Sequence, residues 1–191
     1  MADWSEKLDA SIKAFRNRPR YLVLSEDIIA TIPDANLELA IIDHVLGVKV
    51  GRNTDRAYEI ISGLSPGFRM AYGTWLVEAE VSNGGFNQYF WNWSGRFAGH
   101  AVDGFRLLGA SALAALMERA IAVFSREEPL QRKLKEQRTL DAFSESYKHT
   151  DLGELDKEFY PLAESLSKAR IAYIRSHPRE FVSAPSGAKT V

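Results

Sequence analysis

The sequence predicts an all-α protein, an irregular single-domain bundle of about eight helices, and three observations carry that reading. Apolar residues recur at helical spacing over most of the chain. Ser, Thr and Pro stand where successive periodic stretches begin, and Gly where one ends. The 191 residues suit one domain, and 46% hydrophobic with 26% charged residues is a composition that buries a core.

Trp4, Leu8, Ile12 and Phe15 predict a first helix over 4–16, ended before Pro19. Ser25 caps a short helical turn to Ile32. Leu37, Ile41, Ile42, Val45 and Leu46 form one stripe of a segment running from 37 to 50, which Gly51 ends. Thr54 caps a helix whose inward residues are Ala57, Tyr58, Ile61 and Leu64. Ser65-Pro66 starts the next, since Pro suits the first helical position. From 68 to 81 two opposed apolar stripes appear: Phe68, Tyr72, Trp75, Leu76 and Ala79 on one side, Met70, Val77 and Val81 on the other. A helix apolar on two sides belongs at the centre of a fold.

Helices are also expected over 99–108 and 110–124. Residues 125–138 are heavily charged and contain Pro129, which reads as an exposed turn and helix start. Residues 141–147 are a short segment of undetermined type. Residues 152–174 are helical in pattern, with a break or restart at Pro161. The small, polar stretch 182–191 reads as a disordered tail, leaving 1–181 as one helical domain.

Composition removes several function classes. Lys and Arg number 24 against 25 Asp and Glu, a formal net charge of −1, so nothing global draws the chain toward nucleic acid. With no cysteine, disulfides, thiolate metal sites and a cysteine nucleophile are excluded. The start lacks the pattern of a signal peptide, and no run reaches the ~18 apolar residues of a membrane span. A cytoplasmic location without membrane attachment is the expectation. His44, His100, His149 and His177 stand in no metal motif, and no Gly-rich phosphate loop or nucleophile elbow is present. Neither metal nor cofactor is therefore expected.

One segment carries most of the information: Glu78, Glu80, then Asn83-Gly84-Gly85-Phe86, Gln88-Tyr89-Phe90, Asn92, Ser94 and Gly95. Two local readings stay open. Alternation of Val77, Ala79 and Val81 with the glutamates, followed by Asn83-Gly84, is a β-hairpin pattern. Alternatively, Asn83 caps a new helix whose stripe is Phe86, Tyr89, Phe90 and Trp93. The glycines then admit a close neighbour and expose helix-start N–H groups to a carboxylate, with Glu78 and Glu80 as the internal possibilities. Two residues apart on a helix, those glutamates point ~200° from one another and do not share a substrate.

That segment resembles the signature of a bacterial family of all-helical domains whose namesake is a dimeric DNA-mimic protein that binds a transcription factor. The resemblance covers about 65–181, with 1–64 as a helical N-terminal arm. It also touches Gly109-Ala110, Leu155-Asp156, Phe159, Tyr173-Ile174 and Phe181. It implies an all-α fold, which favours the helical reading, a homodimer, and a protein partner such as a DNA-binding regulator. A mimic presents carboxylates at phosphate-like spacing. At net charge −1 only one stretch offers them: Glu26, Asp27, Asp34, Glu38 and Asp43 lie between Tyr21 and Val48 with no Lys or Arg among them. An ordinary solvated face has the same composition.

The leading expectation is a protein-interaction module, not an enzyme, without direct nucleic-acid binding. A small ligand-binding domain or enzyme using Glu78, Gln88 and Asn92 is the alternative, and a toxin-neutralising partner is a third. Convergence of those three side chains on an open pocket separates the second reading from the first.

Overall fold

The computed structural model describes residues 17–183 and, before them, 7–9 and 12–13. The helix expected over 4–16 lies largely outside the described residues. Among those described, the fold is helical throughout, apart from one isolated antiparallel bridge between Leu24 and Ser183.

The elements follow the caps. Helix α1 (Glu26–Thr31) starts where Ser25 Oγ accepts from the Ile28 N–H. Helix α2 (Asp34–His44) runs into a π-helical turn (Val45–Val50) that stops at Gly51, with φ 55°. After α3 (Ala57–Ser62), Ser65 and Pro66 open α4 (Pro66–Trp91), with the Phe68 N–H donating to Ser65 Oγ. A 3-10 turn (Trp93–Phe97) leads to α5 (Ala98–Leu107), then α6 (Ser111–Glu136) and α7 (Leu140–Ser146). Helices α8 (Leu152–Ala163) and α9 (Leu166–Ser176) and a 3-10 turn (Pro178–Phe181) complete the chain's described part.

Helix α4 is the axis, packed against α5 and α8 and touched by α2, α3, α6 and α9. Phe68, Tyr72 and Leu76 are buried on one side, and Met70, Val77 and Val81 on the other. Burying each such side chain contributes about 1.5–3 kcal/mol, so this helix anchors the core. Trp75 is half-buried and Ala79 exposed, so the first expected stripe is narrower than its apolar residues suggest.

Several expectations are corrected. The expected second helix is present but shorter than Asn83–Trp93: it restarts after the non-helical Gly84 and Gly85 and ends at Trp91, forming the second half of α4 beyond a kink. The hairpin reading falls, since 77–91 carry no strand. Residues 125–136 are the second half of one long helix rather than a turn, with Pro129 on its exposed side. Proline removes one hydrogen bond, but Gln131 is buried just beyond it. Its Nε2 donates to Ser146 O at 3.2 Å, so tertiary contacts hold the helix through. Pro161 sits inside α8, and the break comes at 164–165, after Ala163 has been buried. Residues 141–147, left undetermined by sequence, fall in α7 and the first residue of the 3-10 turn that follows it.

Of the tail expected to be disordered from 182 onward, residues 182 and 183 are described and are part of the fold. Ser183 is buried; its N–H donates to Leu24 O at 2.9 Å, and its hydroxyl lies 2.7 Å from His44 Nε2. His44 Nδ1 lies 2.8 Å from Tyr21 O. Burial lowers the His44 pKa, favouring a neutral ring that donates from Nδ1 and accepts the Ser183 hydroxyl at Nε2. Residues 184–191 lie outside the described residues.

Candidate functional site

The kink in α4 organises the signature. Gly84 has φ −157°, ψ 26°, and Gly85 has φ 73°, ψ 180°, so the helical ladder stops and restarts there. A restarted helix presents N–H groups without intrahelical acceptors. The Phe86 N–H finds Asp156 Oδ1 at 2.7 Å, supplied by α8 from 70 residues away. The expected carboxylate at this point was Glu78 or Glu80, and neither occupies it. Gly85 is required twice. Its positive φ disfavours any side chain, and a Cβ there would stand 2.8 Å from Asp156 Cγ. Burial raises the Asp156 pKa above its usual 3.8, and the bond from Phe86 opposes that rise. Tyr147 OH donates to Gly84 O at 2.9 Å, covering an acceptor that the kink releases.

Glu80 braces the angle of the kink. Its Oε2 accepts from Gln88 Nε2 at 2.8 Å and from Asn92 Nδ2 at 2.9 Å, and its Oε1 accepts from Ser94 Oγ at 2.7 Å. Asn83 Nδ2 donates to Gln88 Oε1 at 3.1 Å, so Asn83 serves the brace rather than capping a helix. One carboxylate thus ties the first part of α4 to the second and to the following 3-10 turn. Phe86 packs edge-on to Phe159, and Phe90 stacks on Phe124 at 4.5 Å. Gly95 lets the turn fold back onto Phe90: a Cβ would lie 3.1 Å from Phe90 Cα. Tyr89 is buried, and its hydroxyl has no hydrogen-bond partner among the described residues. Burial pushes its pKa upward, as it does that of Tyr72, to about 12.

Glu78 belongs to a different cluster. It accepts from Arg170 Nη2, while Arg170 Nε donates to Glu38 Oε1 and Ser167 Oγ donates to Glu38 Oε2 at 3.0 Å. Arg170 is 1% exposed, a buried cation held between two carboxylates. The three residues of the enzymatic alternative therefore do not converge. Gln88 and Asn92 turn to Glu80, and Glu78 turns to Arg170.

The acid-rich stretch is also rearranged by folding. Glu38 is taken by Arg170, and Asp34 pairs with Arg175 at 2.6 Å. Asp43 pairs with Arg18 at 2.6 Å, and Glu26 with Arg179 at 3.2 Å. Only Asp27 of the five has no ion pair among these. The expected strip of unopposed carboxylates is thus an arginine-matched surface, because Arg18 and the segment 170–179 both pack onto the N-terminal helices.

Sequence reasoning missed Asp156 as the cap and Arg170 as the buried cation. A signal existed for the second: Leu166, Arg170 and Ile174 are spaced by four, and all are buried. An arginine on an apolar stripe calls for a carboxylate.

Beside the brace, three adjoining cavities of about 240, 730 and 670 Å3 form a groove between the second half of α4, the end of α6 and the start of α7. Trp91 and Lys135 line all three. Trp93 is 47% exposed at one end and Leu140 83% exposed at the other. Among the described residues no group of three or more acids and histidines is arranged to hold a metal ion. No described helix is long and apolar enough to cross a membrane.

Compared with known proteins, no curated protein and no solved structure matches the chain. The family model described as DMP19-like protein matches residues 62–177, more than half of the length, a span that includes the kink, its glutamate brace and Arg170. The chain belongs to the DMP19-like protein family.

Proposed function

We propose that this chain is a protein-interaction module in which the signature segment is scaffold and the docking face lies beside it. The observation behind the reading is how the signature's polar groups are used. Glu80 accepts three bonds from within the segment, and Asp156 is spent on the kink. The adjoining groove carries Trp91, Trp93 and Leu140 at its surface instead. Exposed aromatic and apolar side chains in a concave surface suit a protein partner. Homodimerisation, as the family resemblance implies, is part of the proposal and is tested by sedimentation of the purified chain.

Mimicry of DNA is the narrower form of this reading. It requires carboxylates free to meet a basic partner, whereas Glu26, Asp34, Glu38 and Asp43 each face an arginine of the same chain. The docking face is therefore placed at the groove.

The test is capture of partners from native lysate by the tagged full chain and by a Trp93→Ser/Leu140→Ser variant, with competing duplex DNA in a third arm. A protein held by the wild type and lost by the variant supports the groove. Release by DNA, together with loss on Asp27→Lys/Asp34→Lys, returns the surface to the acidic stretch. Saturable capture of nothing removes the module reading.

A further inference from the structure

We infer that the groove binds a short acidic segment of a partner protein, its apolar side chain seated between Trp91 and Leu140 and its carboxylates on Lys135 and Arg138. The inference rests on the protein-interaction reading and supplies the chemistry of the partner.

Charge is the first argument. The residues lining the three cavities include four cations, Arg96, Arg132, Lys135 and Arg138, and one carboxylate, Glu128. In a chain of net charge −1 this is a local excess of positive charge. Arg132 lies 3.7 Å from Glu128, and Arg96 lies over the Tyr58 ring. Lys135 and Arg138 make no ion pair among the described residues. A cation lining a groove without a counterion is stabilised by an anionic partner.

The second argument is backbone conformation. Arg138 has φ 56°, the one non-glycine residue at positive φ among those described. It follows the end of α6, where glycine is the ordinary occupant of the left-handed position. An arginine there carries a conformational cost that its side chain does not recover through any ion pair within the fold. Burial lowers the Lys135 pKa, in keeping with an ammonium partly withdrawn from water.

The third argument is what faces the cations. Trp91, Phe143 and Leu140 form the apolar side of the same cavity. Asn92 donates one N–H to Glu80, while its Oδ1 has no partner among the described residues. A side-chain amide with an unmet acceptor suits a peptide main chain. Apolar seat, amide and paired cations match an acidic peptide bearing one large apolar side chain.

The experiment is fluorescence polarisation with the full chain. Its probe is a fluorescein-labelled peptide of about eight residues, with carboxylates on both sides of one phenylalanine. The comparison probes are the same peptide with amides in place of the carboxylates, and a single-stranded oligonucleotide of about ten nucleotides. The acidic peptide is expected to bind saturably, on the order of tenfold or more tighter than the amide peptide, and to weaken as salt rises. Lys135→Gln and Arg138→Gly should each weaken it severalfold. Arg138→Gly should melt no lower than the wild type, since glycine relieves the left-handed conformation. Equal binding of both peptides, or unchanged affinity in both variants, overturns the inference. An oligonucleotide that displaces the peptide at lower concentration reassigns the groove to nucleic acid and overturns it too. A lysate partner lost on Leu140→Ser but kept by Lys135→Gln/Arg138→Gly leaves the module standing and removes the acidic segment. Peptide binding without any lysate partner does the reverse.

Discussion

Glu78 and Glu80 stand two residues apart on one helix and build opposite kinds of site. Glu80 gathers neutral donors from residues 88, 92 and 94, all of its own segment. Glu78 meets a buried guanidinium 92 residues away, shared with Glu38 from α2. The first is a local brace that sets an angle. The second is a long-range ionic clamp that joins α2, α4 and α9. The helix period sends the two carboxylates to different sides, and the packing on each side decides their chemistry.

Removing the shared cation should break the clamp with the largest effect. Arg170→Ala is expected to cost about 3–5 kcal/mol in urea unfolding, because two carboxylates remain facing one another in a partly dry site. Replacing all three groups (Glu38→Leu, Glu78→Leu and Arg170→Met) should regain most of that loss. A triple variant as unstable as the single one would show that stranded charge is not the cause.

The kink comes next. Gly85→Ala should cost about 2–4 kcal/mol, combining left-handed strain with displacement of Asp156 from the Phe86 N–H. A loss below about 0.5 kcal/mol would mean that the helix can straighten without penalty, as for an ordinary surface substitution.

A smaller effect tests the brace. Glu80→Gln keeps the shape but presents an amide to three donors, and about 2 kcal/mol should be lost. Unlike Arg170→Ala, this loss should be insensitive to added salt, since Gln88, Asn92 and Ser94 are uncharged. Equal salt dependence in the two variants would erase the distinction between brace and clamp.

The smallest effect is in pH. The Asp156 pKa is raised in the fold, so the native state holds its proton more tightly than the unfolded chain. Stability from this group therefore falls as pH rises from 3.8 through the raised native value, and is level above it. Asp156→Asn should flatten that decline in a urea-unfolding series. An unchanged profile would show that Asp156 titrates as it does in the unfolded chain.

The same contrast explains what could be read beforehand. Every donor to Glu80 lies within the signature, so the segment was visible as a unit before its geometry was known. Asp156 was visible only as a weak part of the family resemblance, because nothing in residues 83–86 says which helix will supply a carboxylate. The acidic stretch misled for a related reason. Its arginines lie at 18 and from 170 onward, outside the stretch from Tyr21 to Val48. The groove was invisible, since its walls come from 83–96 and 124–143, and a concave surface has no periodicity.

By itself the sequence determined most of the helices, most of their starts and the centrality of α4. Those depend on caps, proline positions and apolar spacing within a few turns of one chain. Tertiary structure decided that α4 bends at Gly84-Gly85, that α6 runs through Pro129, and that Glu78 and Glu80 serve different partners. Those outcomes depend on contacts between residues tens of positions apart, where burial and hydrogen-bond satisfaction outweigh the fraction of a kcal/mol that local propensity supplies per residue.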